Sequence, residues 1–158
     1  MDPIPPFQRL LDEHRTTVYR VVRAMVGPDE ADDVFQETFL AAYRAYPRLR
    51  PGGDLKAWIL KIATRKAIDA GRGRSRRPLP VEELPERAGG REASDGEPEL
   101  WRAVRELPPK QRAAVVHRYV HDLAYADVAR LIDTTEESAR ANAYQGVRKL
   151  REVWEARA

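Results

Sequence analysis

The stretch "YADVARLIDTTEESARANAYQGVRKLREVWE", residues 125–155, decides the fold of the C-terminal part of the chain. Its apolar residues recur at helical spacing on both sides of Asp133 and Thr134, which predicts a short helix, a tight break and a longer second helix. Thr134 or Thr135 can cap the second helix, and a cap at Thr134 would place Glu137 for a capping box. This order of elements is the plan of a helix-turn-helix, which binds DNA.

The second helix of this stretch has two different faces. The face predicted to pack inward consists of small and apolar residues, Ala139, Ala143, Gly146, Val147, Leu150 and Trp154. The face predicted to point outward carries Glu137, Arg140, Ala141, Tyr144, Arg148 and Arg151. Such groups suit base edges, phosphates and a thymine methyl in a major groove. The alternative is a solvated face held by ion pairs four residues apart.

The rest of the chain also reads as helical. Apolar spacing predicts helices from Phe7 to about Arg74 with a stop at Gly27, whereas residues 79–99 are rich in Pro, Gly and acid and have no period. The further helices are predicted at Leu100 to Glu106, Pro109 to Val120, Tyr125 to Ile132 and Thr135 to Trp154. We therefore expect an all-α fold with two small helical domains, joined by a flexible acidic linker, the second containing the helix-turn-helix.

Composition excludes several classes of protein. The 158 residues carry a net charge of +3 with 34% charged residues, a balance that permits nucleic-acid binding without requiring it. There is no cysteine, so disulfides and thiolate metal sites are excluded. No apolar run approaches the ~20 residues of a membrane span, and the N-terminus lacks the blocks of a signal peptide. We expect a cytoplasmic protein without membrane insertion.

Basic charge concentrates before the linker. Residues 48–77 contain ten Lys or Arg against two Asp, whereas residues 79–99 contain seven acidic residues against two Arg. Along one helix of the basic segment, Lys61, Arg65 and Arg72 form a stripe with Trp58 at its edge. Such a stripe suits a single strand whose phosphates need countercharge and whose bases need a stacking surface. Taken alone, the Trp fits a core role better, and the charges can equally serve solubility.

An acidic helix interrupts this basic chain at "ADDVFQETFLAAYRAY", residues 31–46. On a helical wheel the polar arc holds Asp33, Gln36, Glu37 and Arg44, with Leu40 in its middle. This is either a docking surface for a partner or a solvated face with one stray Leu. The arc predicted to pack in the core consists of Ala31, Val34, Phe35, Thr38, Phe39, Ala41, Ala42, Ala45 and Tyr46.

Catalysis finds little support in the sequence. His117 and His121 have the spacing of metal ligands on a helix, but no third ligand is evident, and two polar residues on a helix surface explain them better. We expect no catalytic residue, no metal and no cofactor.

Several motifs together resemble one family. The segments "ADDVFQETFLAAYRAY", "AWILKIATRKAID", "RGRSRRP" and "LPPKQRAAVVHRYVHDLAYADVARLI", followed by the helix after "DTT", are similar in this order to bacterial sigma factors of the extracytoplasmic-function group. The resemblance implies two domains. Residues 1–78 would bind the polymerase and open the minus-ten element, residues 79–99 would be the linker, and residues 100–158 would read the minus-thirty-five element.

The resemblance also implies partners and contact residues. The partners are core RNA polymerase, through the clamp of its largest subunit and the flap of its second-largest, promoter DNA and an anti-sigma factor. Polymerase contacts would be Asp32, Asp33, Gln36, Glu37 and Leu40. Minus-ten DNA contacts would be Trp58, Lys61, Arg65 and Arg72. Minus-thirty-five DNA contacts would be Thr135, Glu137, Arg140, Ala141, Tyr144, Gln145 and Arg148.

Two departures from the family pattern stand out. Arg65 occupies a position where many members have Asn, and Asp133 occupies the turn position where the family usually has Gly. Two other functions remain open on the sequence: a stand-alone helix-turn-helix regulator with a dimerising N-terminal domain, and a sigma-like protein that binds its partners without starting transcription. A dimeric regulator needs a self-complementary apolar face, whereas the sequence shows an acidic face and a basic stripe.

Overall fold

The computed structural model describes residues 4–76 and 98–156, with side chains for residues 4–71 and 98–156. The N-terminal part contains three helices: α1 (Phe7–Val26), α2 (Pro28–Ala45) and α3 (Leu55–Arg76). A single 3₁₀ turn, Tyr46–Arg48, follows α2. The three helices pack on one another in pairs, and their common interior is filled by apolar side chains.

Residues 98–156, the described C-terminal part, contain four helices: α4 (Glu99–Glu106), α5 (Pro109–Val115), α6 (Tyr125–Leu131) and α7 (Glu136–Glu155). A π-helical turn, Val116–Val120, continues α5. All regular elements in the two described ranges are helical, as predicted. The α4 helix begins one residue before its predicted start and includes Glu99, and residues 79–97 of the predicted linker lie outside the described residues.

Local sequence explains the helix boundaries. Gly27 has φ +87 and separates α1 from α2, and Pro28 opens α2 at a position where the missing N–H is not needed. Thr135 caps α7, because its side chain accepts a hydrogen bond from the backbone N–H of Ser138 at 3.0 Å. The cap is therefore Thr135 rather than Thr134, and the capping box that required a Thr134 cap is absent.

The two parts of the chain share one hydrophobic core. Buried residues of α1 and α3 belong to the same cluster as buried residues of α4 to α7. Polar contacts cross the same interface, since Arg112 of α5 donates a hydrogen bond to the carbonyl oxygen of Met25 in α1 at 3.3 Å. Helix α3 contacts α5 and α6, so it lies against the first helix of the helix-turn-helix.

Candidate functional site

The polar face of α2 is exposed as the wheel predicts. Leu40 is 54% exposed, and Asp33, Gln36 and Glu37 around it are exposed too. Tyr43, one turn further on, is 62% exposed and was not part of the predicted surface. An exposed Leu and an exposed Tyr beside carboxylates have the composition of a docking surface for a basic partner.

Two details of α2 differ from the simple wheel. Asp32 accepts a hydrogen bond from the Tyr19 hydroxyl at 3.0 Å, so this carboxylate is oriented by α1. Ala45, predicted to lie in the core, is exposed, because it is the last residue of the helix and the 3₁₀ turn follows it.

The basic stripe lies along α3. Arg65 is exposed and Lys61 is partly buried. Trp58 is half-buried and packs against the core beside Tyr46, with a ring separation of 6.2 Å. Its contact with the core agrees with a packing role. The exposed part of the side chain lines a groove between α3 and α6. Arg72 is in α3, but its side chain lies outside the described residues.

The outward face of α7 is open to solvent. Tyr144 is 69% exposed, and the other residues of this face are exposed as well: Glu137, Arg140, Ala141, Arg148 and Arg151. The Arg140 guanidinium lies 4.9 Å from the ring centre of Tyr125 and 3.4 Å from the Glu136 carboxylate. These contacts orient Arg140 before any ligand is bound.

Two residues of α7 have surroundings that the sequence did not indicate. Gln145 is exposed, but its side-chain oxygen accepts a hydrogen bond from Gln111 at 3.1 Å, so it partly serves packing between α5 and α7. Trp154, predicted to pack inward, is 65% exposed. The C-terminal end of α7, residues 151–155, is exposed, and no other helix covers it within the described ranges.

The turn of the helix-turn-helix contacts the basic stripe. Asp133 Oδ1 lies 3.0 Å from Lys61 Nζ, and Asp133 Oδ2 lies 3.2 Å from Arg65 Nη2. The hydrogen bond from Lys61 lowers the pKa of the Asp133 carboxyl below its ordinary value, and Arg65 adds to this effect. A groove of about 1210 Å³ adjoins the contact, lined by Trp58 and Lys61 on one side and by Arg130 and Asp133 on the other.

His117 is completely buried, which contradicts the expected surface position. Its Nε2 lies 2.9 Å from Thr64 Oγ1, and the Thr64 hydroxyl gives its proton to the carbonyl oxygen of Leu60 at 2.7 Å. Since a hydroxyl has one proton to donate, the His117 Nε2–H donates to Thr64. Burial, and secondarily the nearby His121, lowers the pKa of His117 to about 3, so the ring is neutral.

Neither a metal cluster nor a membrane span is found in residues 4–76 and 98–156. No three His, Asp or Glu side chains there are grouped as metal ligands. No helix in these ranges combines the length and apolar composition needed to cross a bilayer.

Comparison with known families decides the assignment of this arrangement. The family model of Sigma-70 region 2 matches residues 10–77, and the model of Sigma-70, region 4 matches residues 98–150. The chain belongs to the sigma-70 family. Region 2 therefore comprises α1 to α3 with the acidic face and the basic stripe, and region 4 comprises α4 to α7 with the helix-turn-helix.

Individual relatives place this sigma-70 chain in the extracytoplasmic-function group. It is 33% identical to the extracytoplasmic-function RNA polymerase sigma factor SigD of Mycobacterium tuberculosis, over 92% of this chain and 75% of that protein. It is 29% identical to SigE of Mycolicibacterium smegmatis, over 94% of this chain. It spans 62% of the length of SigE.

Solved structures share the fold of this sigma-family chain. CnrH, solved with the cytosolic domain of CnrY, has a TM-score of 0.70 and 21% identity, covering 96% of this chain and 89% of CnrH. The sigma factor RpoE of Bartonella quintana, solved with the anti-sigma factor NepR, has a TM-score of 0.67 and 17% identity, covering 94% of this chain and 96% of RpoE. At these identities the likeness concerns the fold alone.

Proposed function

We propose that the chain binds core RNA polymerase and directs promoter-specific initiation of transcription. The observation that carries this proposal is the presence of both sigma regions in one chain, in the order expected, each with an exposed face of suitable chemistry. Within this function the chain supplies recognition and no chemistry of its own, and it acts in the cytoplasm, where the polymerase is.

The proposed division of labour follows the surfaces. The acidic face around Leu40, with Asp32, Asp33, Gln36 and Glu37, docks on the clamp of the largest polymerase subunit, because an apolar centre ringed by carboxylates favours a basic protein partner over DNA. Region 4 adjoins the flap of the second-largest subunit. An anti-sigma factor is a further proposed partner, supported by the likeness to RpoE, which was solved with one.

DNA is divided between the two regions in this proposal. The α3 stripe holds the separated minus-ten strand through Lys61, Arg65 and Arg72, with Trp58 at the edge of the opened duplex. The α7 helix reads the minus-thirty-five element as duplex in the major groove. Its proposed contacts are Thr135, Glu137, Arg140, Ala141, Tyr144, Gln145 and Arg148.

Transcription in vitro tests this function directly. Purified chain is added to core RNA polymerase of the organism that encodes it, with a promoter library randomised at both elements, and the RNA products are sequenced. We expect transcripts from a defined subset of promoters only when the chain is present. A stand-alone regulator would bind duplex DNA without polymerase and yield no new transcripts, and a non-initiating sigma-like protein would co-purify with core enzyme and also yield none.

A further inference from the structure

Asp133 holds an unusual backbone conformation in the turn between α6 and α7. Its φ is +54, in the left-handed region that costs free energy for any residue with a Cβ and none for Gly. Asp is among the few residues that tolerate this region, but Gly would serve a turn without strain. Strained positions that persist are often those where the side chain makes a contact the turn itself does not need.

The Asp133 carboxylate makes such a contact with α3. One oxygen lies 3.0 Å from Lys61 Nζ, and the other lies 3.3 Å from Arg65 Nε and 3.2 Å from Arg65 Nη2. Both carboxylate oxygens are therefore engaged by cations from the other region of the chain. The contact is accessible to solvent, since the side chains of Asp133 and Arg65 are 51% and 60% exposed.

These cations are the ones assigned to the minus-ten strand. A phosphate oxygen and a carboxylate oxygen seek the same N–H donors, so DNA and Asp133 compete for Lys61 and Arg65. The groove at this contact is lined by Trp58 from α3 and by Thr134 and Thr135 at the start of α7. The Asp133 contact thus joins the basic stripe of α3 to the N-terminus of α7.

We propose that Asp133 is an autoinhibitory latch that holds regions 2 and 4 together and occupies Lys61 and Arg65 of the minus-ten DNA surface until the chain is opened. This inference rests on the proposed function for the role of Lys61 and Arg65, but the latch itself is a property of the free chain. When regions 2 and 4 move apart, Lys61 and Arg65 are freed and the stripe is separated from the N-terminus of α7. Such a separation is needed if each region is to bind its own promoter element.

The latch adjusts an equilibrium that other contacts also favour. The shared apolar core and the buried hydrogen bond from His117 to Thr64 lie in the same interface, so the open form is a minor population of the free chain. Exposed ion pairs contribute modestly, and losing this one should raise the open population by about two- to fivefold. A method sensitive to minor populations is therefore needed.

Thiol labelling provides that sensitivity, because the chain has no cysteine of its own. In a Thr64→Cys background the introduced thiol lies at the interface, and its labelling rate reports the open population. We compare Asp133→Asn with Asp127→Asn. Asn removes the charge at both positions, and at position 133 it also keeps the left-handed conformation available. Asp127 lines the same groove with equal exposure, but it pairs with Arg130 inside α6.

The expected result is labelling of Thr64→Cys about two- to fivefold faster with Asp133→Asn, and unchanged with Asp127→Asn. Arg65→Ala should also accelerate labelling, which checks the contact without altering the turn. Labelling of Ala42→Cys, buried in α2 against α1 and α3, should stay unchanged, because region 2 itself does not unfold. Equal Thr64→Cys rates in the Asp133→Asn and Asp127→Asn chains would overturn the latch, whatever transcription assays show.

Binding of a short, labelled, mixed-sequence single-stranded oligonucleotide to the free chain tests the guarding role. We expect Asp133→Asn to bind it about two- to fivefold more tightly than Asp127→Asn, since both variants lose one negative charge from the groove and only the first frees the stripe. Faster thiol labelling without this difference in affinity would also overturn the proposal. Failure of the chain to support transcription would instead count against the proposed function and leave the labelling result standing.

Discussion

Thr64 Oγ1 in region 2 lies 2.9 Å from Nε2 of His117 in region 4, and both side chains are completely buried. The two residues are 53 positions apart in sequence. This hydrogen bond pairs His117 Nε2 with the Thr64 hydroxyl oxygen, and the interface removes both atoms from water. Separating the two residues therefore has a free-energy cost, and so does protonating the imidazole. The stability of the whole fold is therefore linked to the protonation of one imidazole.

Acid should destabilise the folded chain through His117. Its pKa is 6.5 in the unfolded chain and about 3 in the folded chain. Between these pH values the imidazole therefore binds a proton in the unfolded state but stays neutral in the folded state. The free energy of unfolding should fall with falling pH, with a slope of up to about 1.4 kcal/mol per pH unit down to about pH 3. His121, whose pKa burial also lowers, adds to the slope.

Urea unfolding at several pH values between about 5 and 7 measures this slope, above the range in which unfolded carboxylates titrate. In His117→Gln the slope of the free energy of unfolding against pH should correspond to about one proton fewer taken up on unfolding, because Gln does not titrate. The same slope in His117→Gln and the natural chain would show that His117 is not the group responsible.

Packing of α7 on α5 depends on Gly146. A Cβ at this position would lie 2.6 Å from Val115 Cγ2, a contact that the branched side chain cannot avoid without moving. Gly146→Ala should lower the free energy of unfolding by about 1 kcal/mol or more, the overpacking cost exceeding the gain in helix propensity. Thermal unfolding checks this, with Gly53→Ala as the control, since nothing lies within 4 Å of a Cβ there. Equal stability of Gly146→Ala and the natural chain would contradict the packing argument.

The acidic face should be sensitive to a charge at its centre. Leu40→Glu should weaken binding to core RNA polymerase by ~2 kcal/mol or more, because an apolar anchor would be replaced by a carboxylate among carboxylates. Helical content should not change, since Leu40 is exposed in the free chain. The matched control is Ala45→Glu, at an exposed position of the same helix outside this face. Titration with labelled core enzyme measures both, and equal affinity of the two variants would refute the assignment.

Two arginines of α7 should give different signatures on DNA. Arg140, near the helix start, is expected to reach a base edge, so Arg140→Ala should cost ~1 to 3 kcal/mol at one or two positions of the minus-thirty-five element and relax preference there. Arg148, two turns further along, is expected to contact phosphate, so Arg148→Ala should weaken binding evenly and reduce the salt dependence by about one phosphate.

A holoenzyme binding selection on a randomised element, at two salt concentrations, distinguishes these roles. Arg140 is already held over Tyr125 in the free chain, which favours a defined position in the groove. If Arg140→Ala lowered affinity uniformly and left base preferences intact, that residue would be a phosphate contact.

Short-range patterns in the sequence predicted the helices well. Helical spacing placed α7 within one residue at either end and put Leu40 on the exposed face, because periodicity and caps act over a few neighbouring residues. The family resemblance, carried by motifs in order, is confirmed by the region 2 and region 4 matches. The assignments of individual contact residues stay predictions.

Contacts between distant parts of the chain were not predictable in the same way. His117 was expected at the surface because the α3 residue that covers it lies far away in sequence. Arg65 and Asp133 stood out separately as departures from the family pattern, yet nothing in the sequence indicates that they contact each other. Trp154 was expected inside because a wheel shows the apolar arc of a helix but not whether another helix covers the end of that arc.

The left-handed turn at Asp133 also has an evolutionary consequence. Codons for Asp differ by a single nucleotide from codons for Gly and for Asn, the two residues that best keep this backbone conformation. One point mutation can therefore delete the charge that faces α3 and keep the geometry of the helix-turn-helix. A lineage can therefore lose or regain the proposed Asp133 latch without any change in the side chains proposed to recognise the promoter.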